Sequence, residues 1–287
     1  MEYKEFTEAI RNKVEEISEG SVTVGLRDIH KNNGVVLTGI EIKSEESRIA
    51  PVIYLEDFYK QYQEGDEIEE IVNEVLRIYS QHRMPGMDVT SFTDFEWAKD
   101  RIFYKLVNTK SNEEMLKCVP SSQIMDLSMV YAVNMGNMED CQATVLIRNE
   151  HLEMWGKTEA EIRKLALENT PKMNQYEFMS MADIMRAMNG MEIPDDGMMY
   201  VLSNKSRING ASAIMYDGVL DKIEDKIGAF FIIPSSIHEV IVVPQDKTKA
   251  EELKPMIGEV NDTEVQNQEI LSYQLYQYDH ENGLRIA

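Results

Sequence analysis

Two serines, a histidine and a glutamate stand close together between two apolar runs late in the chain. They are Ser235, Ser236, His238 and Glu239. A hydroxyl, an imidazole and a carboxylate are the groups that nucleophilic catalysis uses as nucleophile, base and orienting acid. A tight connection between two strands rarely lets neighbouring side chains converge, so the alternative is that the serines bond turn amides while His238 begins a strand. A third interpretation is contact with a ligand or a partner.

Two basic side chains in an acidic part of the sequence form a second candidate group. Lys205 and Arg207 precede Asn209 and Gly210, where a helical stretch is predicted to begin. A helix N-terminus beside two cations can hold an anion, and the alternative is a capped loop with two solvated bases. The two groups can serve one substrate only if the fold brings them within hydrogen-bonding reach. The predicted ligand or partner contacts are Lys205, Arg207, Asn209, Ser235, Ser236, His238 and Glu239, with no catalytic role assigned.

A lone acid interrupts the apolar run from Ile124 to Tyr131. Strand alternation places Asp126 on the same face as Ser128 and Val130, which is expected to be the solvent face. The alternative is a buried carboxyl group with a shifted pKa.

Metal and cofactor chemistry find no support in the sequence. The five histidines share no metal-ligand spacing, and the phosphate-loop, dinucleotide, zinc-protease and nucleophile-elbow motifs are absent. We therefore expect no metal and no cofactor. The sequence leaves open whether the protein is an enzyme and favours the view that it is not.

The charge is strongly and evenly negative. The chain of 287 residues carries 51 acidic and 29 basic side chains, a net charge of −22. A uniform negative field repels phosphate backbones, so direct nucleic-acid binding is not expected. No run approaches the roughly 20 apolar residues of a membrane-spanning helix, and two cysteines fit a reducing cytoplasm. The charge is either a means of solubility or an acidic face that docks a basic partner.

The first third of the chain alternates between helical and strand periodicity. Apolar residues recur at helical spacing over residues 3–18, with Phe6, Ile10, Val14 and Ile17 on one face. Runs at 21–28 and 34–43 alternate as strands do, and the Asn-Gly between them predicts a hairpin turn. A long helix is predicted to begin at an Asp66 cap and end near residue 81.

The rest of the chain gives a longer series of the same elements. Helices are predicted at 94–107, 149–169 (broken at Gly156), 209–226 and 248–260. Strands are predicted at 124–133, 142–147, 199–203, 229–234, 238–244 and 272–278. Eight methionines occupy residues 173–199. Of these, Met181, Met185 and Met188 have the spacing of a buried helical stripe, and an adaptable partner groove is the alternative.

Neighbouring strands joined by tight turns predict an α+β fold. We expect a small N-terminal α-β-β-α module at residues 1–83, a linker at 84–93, and a larger α+β domain with a largely antiparallel sheet at 94–287. The linker is suggested by Pro85 and Gly86 in a stretch of little periodicity.

Seven short runs give the chain a family resemblance. They are residues 31–34, 50–55, 106–108, 126–131, 202–205, 209–214 and 233–241. On these runs the chain resembles an uncharacterised domain-of-unknown-function family of gut Clostridia. More remotely, the order of elements after Val130 is similar to the YtpQ-like family. Neither resemblance implies an activity, a cofactor or catalytic residues, and such genes suggest phage, plasmid or defence biology.

Two functions are therefore expected from different classes. The favoured one is a cytoplasmic, non-enzymatic interaction or regulatory protein that docks a basic protein or a ribonucleoprotein, for instance as an inhibitor or a nucleic-acid mimic from a mobile element. The other is an enzyme or small-ligand-binding protein that uses the turn from Ser235 to Glu239. The sequence leaves the oligomeric state undetermined.

Overall fold

The computed structural model describes residues 1–18, 21–44, 51–82, 89–137, 142–190 and 197–287. Contacts divide the chain into two compact units, Met1–Val89 and Thr90–Ala287. The expected boundary after residue 83 and the first part of the expected linker fall on residues 83–88, outside the described ranges. The last part, Val89–Thr93, forms a short 3-10 helix. The expected domain limits therefore stay a prediction.

The N-terminal unit combines a three-stranded sheet with three helices. Its described elements are α1 Tyr3–Ile17, β1 Val22–His30, β2 Val36–Ser44, β3 Val52–Tyr54, α2 Glu56–Glu64 and α3 Ile68–Gln81. The strand order is β1-β2-β3, and both pairings are antiparallel. The predicted hairpin is present: Asn33 and Gly34 adopt positive φ angles of 60° and 68°, as a tight reversal requires.

The amphipathic stripe of α1 forms the centre of this unit. Phe6, Ile10 and Val14 are fully buried and pack with the apolar residues of α3 and the sheet. Ile17, the fourth member of the predicted stripe, is 52% exposed, because it lies at the last turn of the helix. The predicted Asp66 cap is also wrong: Glu67 takes the N-cap position of α3, without a side-chain bond.

The C-terminal unit contains seven α-helices and ten strands among its described residues. They are α4 Phe95–Ala98, β4 Ile102–Asn108, α5 Glu113–Leu116, β5 Ser121–Ile124, β6 Leu127–Asn137, β7 Gln142–Leu146, α6 Asn149–Trp155, α7 Glu159–Met173, β8 Tyr176–Ser180, α8 Met181–Asn189, β9 Tyr200–Asn204, α9 Val219–Ile227, β10 Phe230–Ile233, β11 Val240–Pro244, α10 Ala250–Thr263, β12 Tyr276–Asp279 and β13 Gly283–Ile286. A 3-10 helix at Gly210–Met215 precedes α9.

These strands form two sheets. One has six strands in the order β13-β12-β10-β11-β9-β8, and the other joins β4, β5 and β7 to β6. Each of the described pairings is antiparallel. The predicted α+β class is thus confirmed, although two sheets stand where the sequence suggested one. No helix in the described ranges is both long and apolar enough to cross a bilayer.

The predicted helix at 94–107 is wrong beyond its first turn. Only Phe95–Ala98 is α-helical, and after one 3-10 turn the chain continues as β4. Residues 102–107 are buried on both faces of the strand except at Lys105. Such a strand shows an unbroken apolar run instead of alternation, so helical spacing can appear in it by coincidence.

The methionine-rich segment also departs from expectation. The strand β8 precedes α8 and was not predicted, because Tyr176 and Phe178 alternate over only five residues. On α8, Met181 and Met185 are only partly buried, and the side chain of Met188 lies outside the described part. The fully buried position on this helix is Ala182, at 6% exposure.

Buried tyrosines make the C-terminal core sensitive to alkaline pH. Tyr104 packs edge-on against Tyr216, and the Tyr216 hydroxyl donates to the carbonyl of Asn174 at 2.8 Å. Burial raises the pKa of Tyr216 to about 12, and burial also raises the pKa of Tyr104. A pKa raised above its unfolded value of about 10 means that the folded state holds the proton more tightly. The protonated, buried tyrosines therefore contribute to the free energy of unfolding. This contribution is fully present below pH 10 and is lost as the pH rises towards 12.

We therefore expect the free energy of unfolding to fall above pH 10. Each such tyrosine contributes a slope of up to about 1.4 kcal/mol per pH unit. In Tyr216→Phe the slope between pH 10 and 11.5 becomes shallower by one such contribution, although the variant loses a hydrogen bond at every pH. Urea denaturation at half-unit intervals measures both slopes. Equal slopes in the two proteins would contradict this assignment.

Candidate functional site

The two loops that the sequence singled out lie side by side. Strand β9 pairs antiparallel with β11, so that Leu202 is opposite Val240. The end of β9 and the start of β11 therefore meet at one end of the strands of the six-stranded sheet. The amide of Ala211 donates to the carbonyl of Ile237 at 3.2 Å, which joins the 3-10 helix to the β10–β11 connection.

Gly210 allows this close approach. A methyl group on its α-carbon would overlap with the carbonyl oxygen of His238 and the hydroxyl of Ser203, and it would lie 2.7 Å from the amide nitrogen of Asn204. The residue before it, Asn209, has a φ of 53°. The loop is thus folded tightly back against β9, and only glycine fits between the two segments.

Arg207 is held by two carboxylates. Its Nη2 lies 2.9 Å from Glu177 Oε2 on β8, and its Nη1 lies 3.5 Å from Glu239 Oε2. The other predicted cation, Lys205, donates from Nζ to Gln175 Oε1 at 2.8 Å. Both predicted anion-binding side chains therefore have acceptors within the chain. The helix that follows is a six-residue 3-10 helix instead of the α-helix predicted to start there.

His238 is fixed on both sides of its ring. The amide of Asn209 donates to Nδ1 at 3.4 Å, and Nε2 lies 3.6 Å from Glu269 Oε1. Because Nδ1 accepts a hydrogen bond, the ring proton of the neutral imidazole is on Nε2, facing the glutamate. The backbone of His238 is bound as well, since its carbonyl accepts from Ser203 Oγ at 2.8 Å.

The two serines have different surroundings. Ser236 Oγ accepts from the amide of His238 at 3.0 Å, which is the turn bond that the non-catalytic interpretation expects. Ser235 is 7% exposed, and its Oγ is buried without a hydrogen-bond partner among the described residues. Within the described ranges, neither hydroxyl bonds to the imidazole. The geometry therefore contains no serine–histidine pair. It brings Arg207, Asn209, Ser236, His238 and Glu239 together, whereas Lys205 contacts Gln175 and the Ser235 hydroxyl bonds to none of the others. The role of the seven predicted residues as a ligand or partner site stays a prediction.

Sequence reasoning found Glu239 but missed two other acidic members of this group. Glu177 lies on β8, and Glu269 lies in the segment that pairs with the connection through a bridge between Ser236 and Ile270. For Glu177, the only local signal was the alternation of Tyr176 and Phe178, which indicates a strand. No local pattern indicated Glu269. It follows His238 by 31 residues in the sequence, and only the tertiary structure brings the two side chains together.

Asp126 lies in a second polar group, and its predicted placement is wrong. It belongs to the turn between β5 and β6, while Ser128 and Val130 are buried instead of facing solvent. Its carboxylate accepts from Ser272 Oγ and from the hydroxyl of Tyr276, each at 2.6 Å. Burial, together with the bond to Asp126, raises the pKa of Tyr276. The acid thus anchors the chain before β12 to the four-stranded sheet.

No three metal-binding side chains are grouped in the part of the chain that the structure describes. Cys118 is exposed and unpaired there, whereas Cys141 falls outside it.

Comparisons with known proteins place the chain in a family without assigning it an activity. A family model described only as a family of unknown function matches residues 3–280. No curated protein and no solved structure matches the chain. The resemblance to an uncharacterised family is therefore confirmed, while a clostridial origin and a likeness to the YtpQ-like family stay expectations.

The close contact at Gly210 can be tested by adding one methyl group. Gly210→Ala is expected to lower the free energy of unfolding by about 2–4 kcal/mol, because backbone atoms must move apart. The control is Gly258→Ala within α10, where a methyl group meets nothing within 4 Å. It should raise stability by up to about 1 kcal/mol, since alanine favours the helix. Chemical denaturation measures both, and equal effects of the two changes would refute the contact.

The two serine hydroxyls give a second matched pair. Ser236→Ala should cost about 1 kcal/mol because the amide of His238 loses its acceptor. Ser235→Ala should leave stability unchanged or raise it by up to about 1 kcal/mol, because it removes a buried hydroxyl with no partner. A loss at Ser235 as large as that at Ser236 would show that the hydroxyl has a partner.

Proposed function

The chain belongs to DUF5688, a family of unknown function, and we propose that it is a non-enzymatic protein that binds a basic partner through an acidic surface. The net charge of −22 supports this function over nucleic-acid binding. The internal pairing of the candidate loops supports it over catalysis. Arg207 and His238, the groups best suited to act on a substrate, are already bonded to residues of the chain.

One acidic surface carries the proposal. It lies where α2 ends and α3 begins, and its exposed carboxylates are Glu64, Asp66, Glu67, Glu69 and Glu70. We call it the α2–α3 acidic turn. No basic residue occurs from 61 to 76, and among the described residues no ion pair involves any of the five. The basic residues that flank this stretch in the sequence are paired elsewhere: Lys60 pairs with Asp57 and Arg77 with Glu74.

Helix electrostatics explain only part of this charge. Glu69 and Glu70 lie in the first turn of α3, where acids are favoured by the helix dipole. Glu64 is the last residue of α2, where a negative charge faces the unbonded carbonyls and costs about 0.3–1 kcal/mol. The fold therefore does not need this concentration of charge, and a cationic partner would relieve it.

The apolar side of α3 fixes the backbone of this surface. Ile71, Val72 and Val75 are buried in the core of the N-terminal unit, which holds the helix that carries Glu69 and Glu70. A partner that binds this helix therefore causes little loss of backbone entropy. We infer that the partner is a basic protein or a ribonucleoprotein.

The experiment compares two variants of equal net charge. In the test variant the five carboxylates of the α2–α3 acidic turn are replaced by amides, and the control replaces five other exposed glutamates, at 113, 153, 251, 259 and 264. Each variant has a net charge of −22 + 5 = −17. Tagged proteins are used to capture partners from host lysate at 50 and 500 mM salt.

We expect the wild type and the control to retain the same basic partner at low salt and to lose it at high salt, because charge docking is screened. The test variant should lose at least about tenfold of the captured partner, since five contacts of even a few tenths of a kcal/mol add up to that factor. Equal capture by all three proteins, or capture that salt does not weaken, would overturn the proposal. The finer idea of an inhibitor that mimics nucleic acid further requires that added duplex DNA release the partner.

A second candidate is a small-ligand site at the paired loops. It is favoured by the buried hydroxyl of Ser235, which has no hydrogen-bond partner among the described residues and precedes His238 and Glu239 in the same connection. This candidate requires a ligand that protects the wild type against thermal unfolding and fails to protect Ser235→Ala.

A further inference from the structure

Strand β1 contains a glycine that the chain itself does not require. Gly25 lies in the middle of β1, opposite Glu41 on β2. A methyl group at Gly25 would meet no atom of the described residues within 4 Å. At Gly39, opposite Arg27, a methyl group would overlap with the side chain of Val52 on β3. The packing of the fold thus explains why residue 39 is glycine and does not explain why residue 25 is. A glycine inside a strand often marks the close approach of another backbone or a ligand.

Gly25 lies on an edge strand. In the described part of the chain, β1 pairs only with β2, and its other side has no neighbouring strand. The ladder runs without a bulge from Val22 to His30, and β1 contains no proline. Proteins usually protect so long an edge with a bulge, a proline, charged side chains or a very short strand, because an open edge pairs with other chains. Of these, β1 has only the adjacent charges of Arg27 and Asp28.

A cleft of about 380 Å³ lies between α1 and the sheet. Its lining residues are Tyr3, Lys4, Thr7 and Glu8 of α1, Leu26, Arg27 and Asp28 of β1, and Thr38 of β2. Successive side chains of a strand point to opposite faces, so a cleft on one face would be lined by every second residue. Leu26, Asp28 and Thr38 lie on the α1 face of the sheet, opposite to Gly25, and the additional lining by Arg27, from the other face, brings the cleft to the edge of β1.

The face of the sheet that carries Gly25 is positively charged. Glu41 Oε2 binds both Arg27 Nε at 2.9 Å and Lys43 Nζ at 3.1 Å, so one carboxylate serves two cations. Lys31 adds a third cation, 4.2 Å above the ring of Tyr54. Among the described residues this face has three cations and one acid, within a chain of net charge −22. Its charge complements an acidic partner.

We propose that β1 accepts an extended peptide segment as a fourth strand, with acidic side chains on the face of Gly25. Backbone bonds to the open edge supply the affinity in such strand addition, and the alternate side chains supply the specificity. Side chains of the added strand next to Gly25 lie over the bare backbone there. Their carboxylates reach Arg27 and Lys43, which share Glu41. This surface is separate from the α2–α3 acidic turn and has the opposite charge.

The test uses labelled nonapeptides and the full-length protein. One peptide alternates glutamate and valine, the second alternates lysine and valine, and the third is the glutamate peptide with every second backbone amide methylated. Fluorescence anisotropy measures binding to the wild type, to Gly25→Val and to Gly258→Ala. The last variant controls for stability, because its site is in α10.

We expect the glutamate peptide to bind the wild type at least tenfold more tightly than the lysine peptide or the methylated peptide. Gly25→Val should reduce that binding at least tenfold while raising the melting temperature by about 1–4 °C, because valine favours a strand and meets no neighbour. Gly258→Ala should bind as the wild type does.

Three results would overturn the proposal. The first is no binding of the glutamate peptide at 1 mM, or equal binding of the lysine peptide. The second is a lower melting temperature of Gly25→Val, which would mean that the chain itself requires the glycine. The third is a wild-type dimer in sedimentation that Gly25→Val converts to a monomer, which would assign the edge to a second copy.

Discussion

The backbone of Gly210 passes so close to the carbonyl of His238 that no side chain fits between them, and the candidate loops depend on this contact. Pairing of β9 with β11 brings the two segments to the same end of the sheet, and the absent side chain lets them touch. The amide of Asn209 then reaches the imidazole, and Arg207 comes to lie beside Glu239. A polar group of this kind stabilises a loop junction, and its bonds leave few groups free to act on a substrate.

Acidic residues have different roles in different parts of the molecule. Glu41 and Glu239 each hold an arginine, and Asp126 holds two hydroxyl groups. These carboxylates offset local donors and are part of the fold. The carboxylates from Glu64 to Glu70 have no such partner in the described chain. A net charge therefore does not by itself distinguish structural from functional acids, and the distinction depends on which carboxylates the tertiary structure pairs.

The elements predicted well are those whose signal is local. The α1 stripe and the hairpin at Asn33 and Gly34 follow from residues a few positions apart, which sense the same helix face or the same turn. The prediction failed at residues 102–107, because a strand buried on both faces loses the alternation that identifies strands. It failed again at Asp126, where a turn stands in place of an assumed continuous strand.

The sequence by itself determined the α+β class, the even negative charge and the types of residue in both candidate loops, because composition and short-range periodicity contain that information. Tertiary structure decided that the loops meet, that Arg207 and His238 are bonded within the chain, and that Gly39 is needed while Gly25 is not. Those outcomes depend on strand order and on contacts between distant residues. Long-range pairing is a property of the whole folded chain, so no local pattern of residues specifies it.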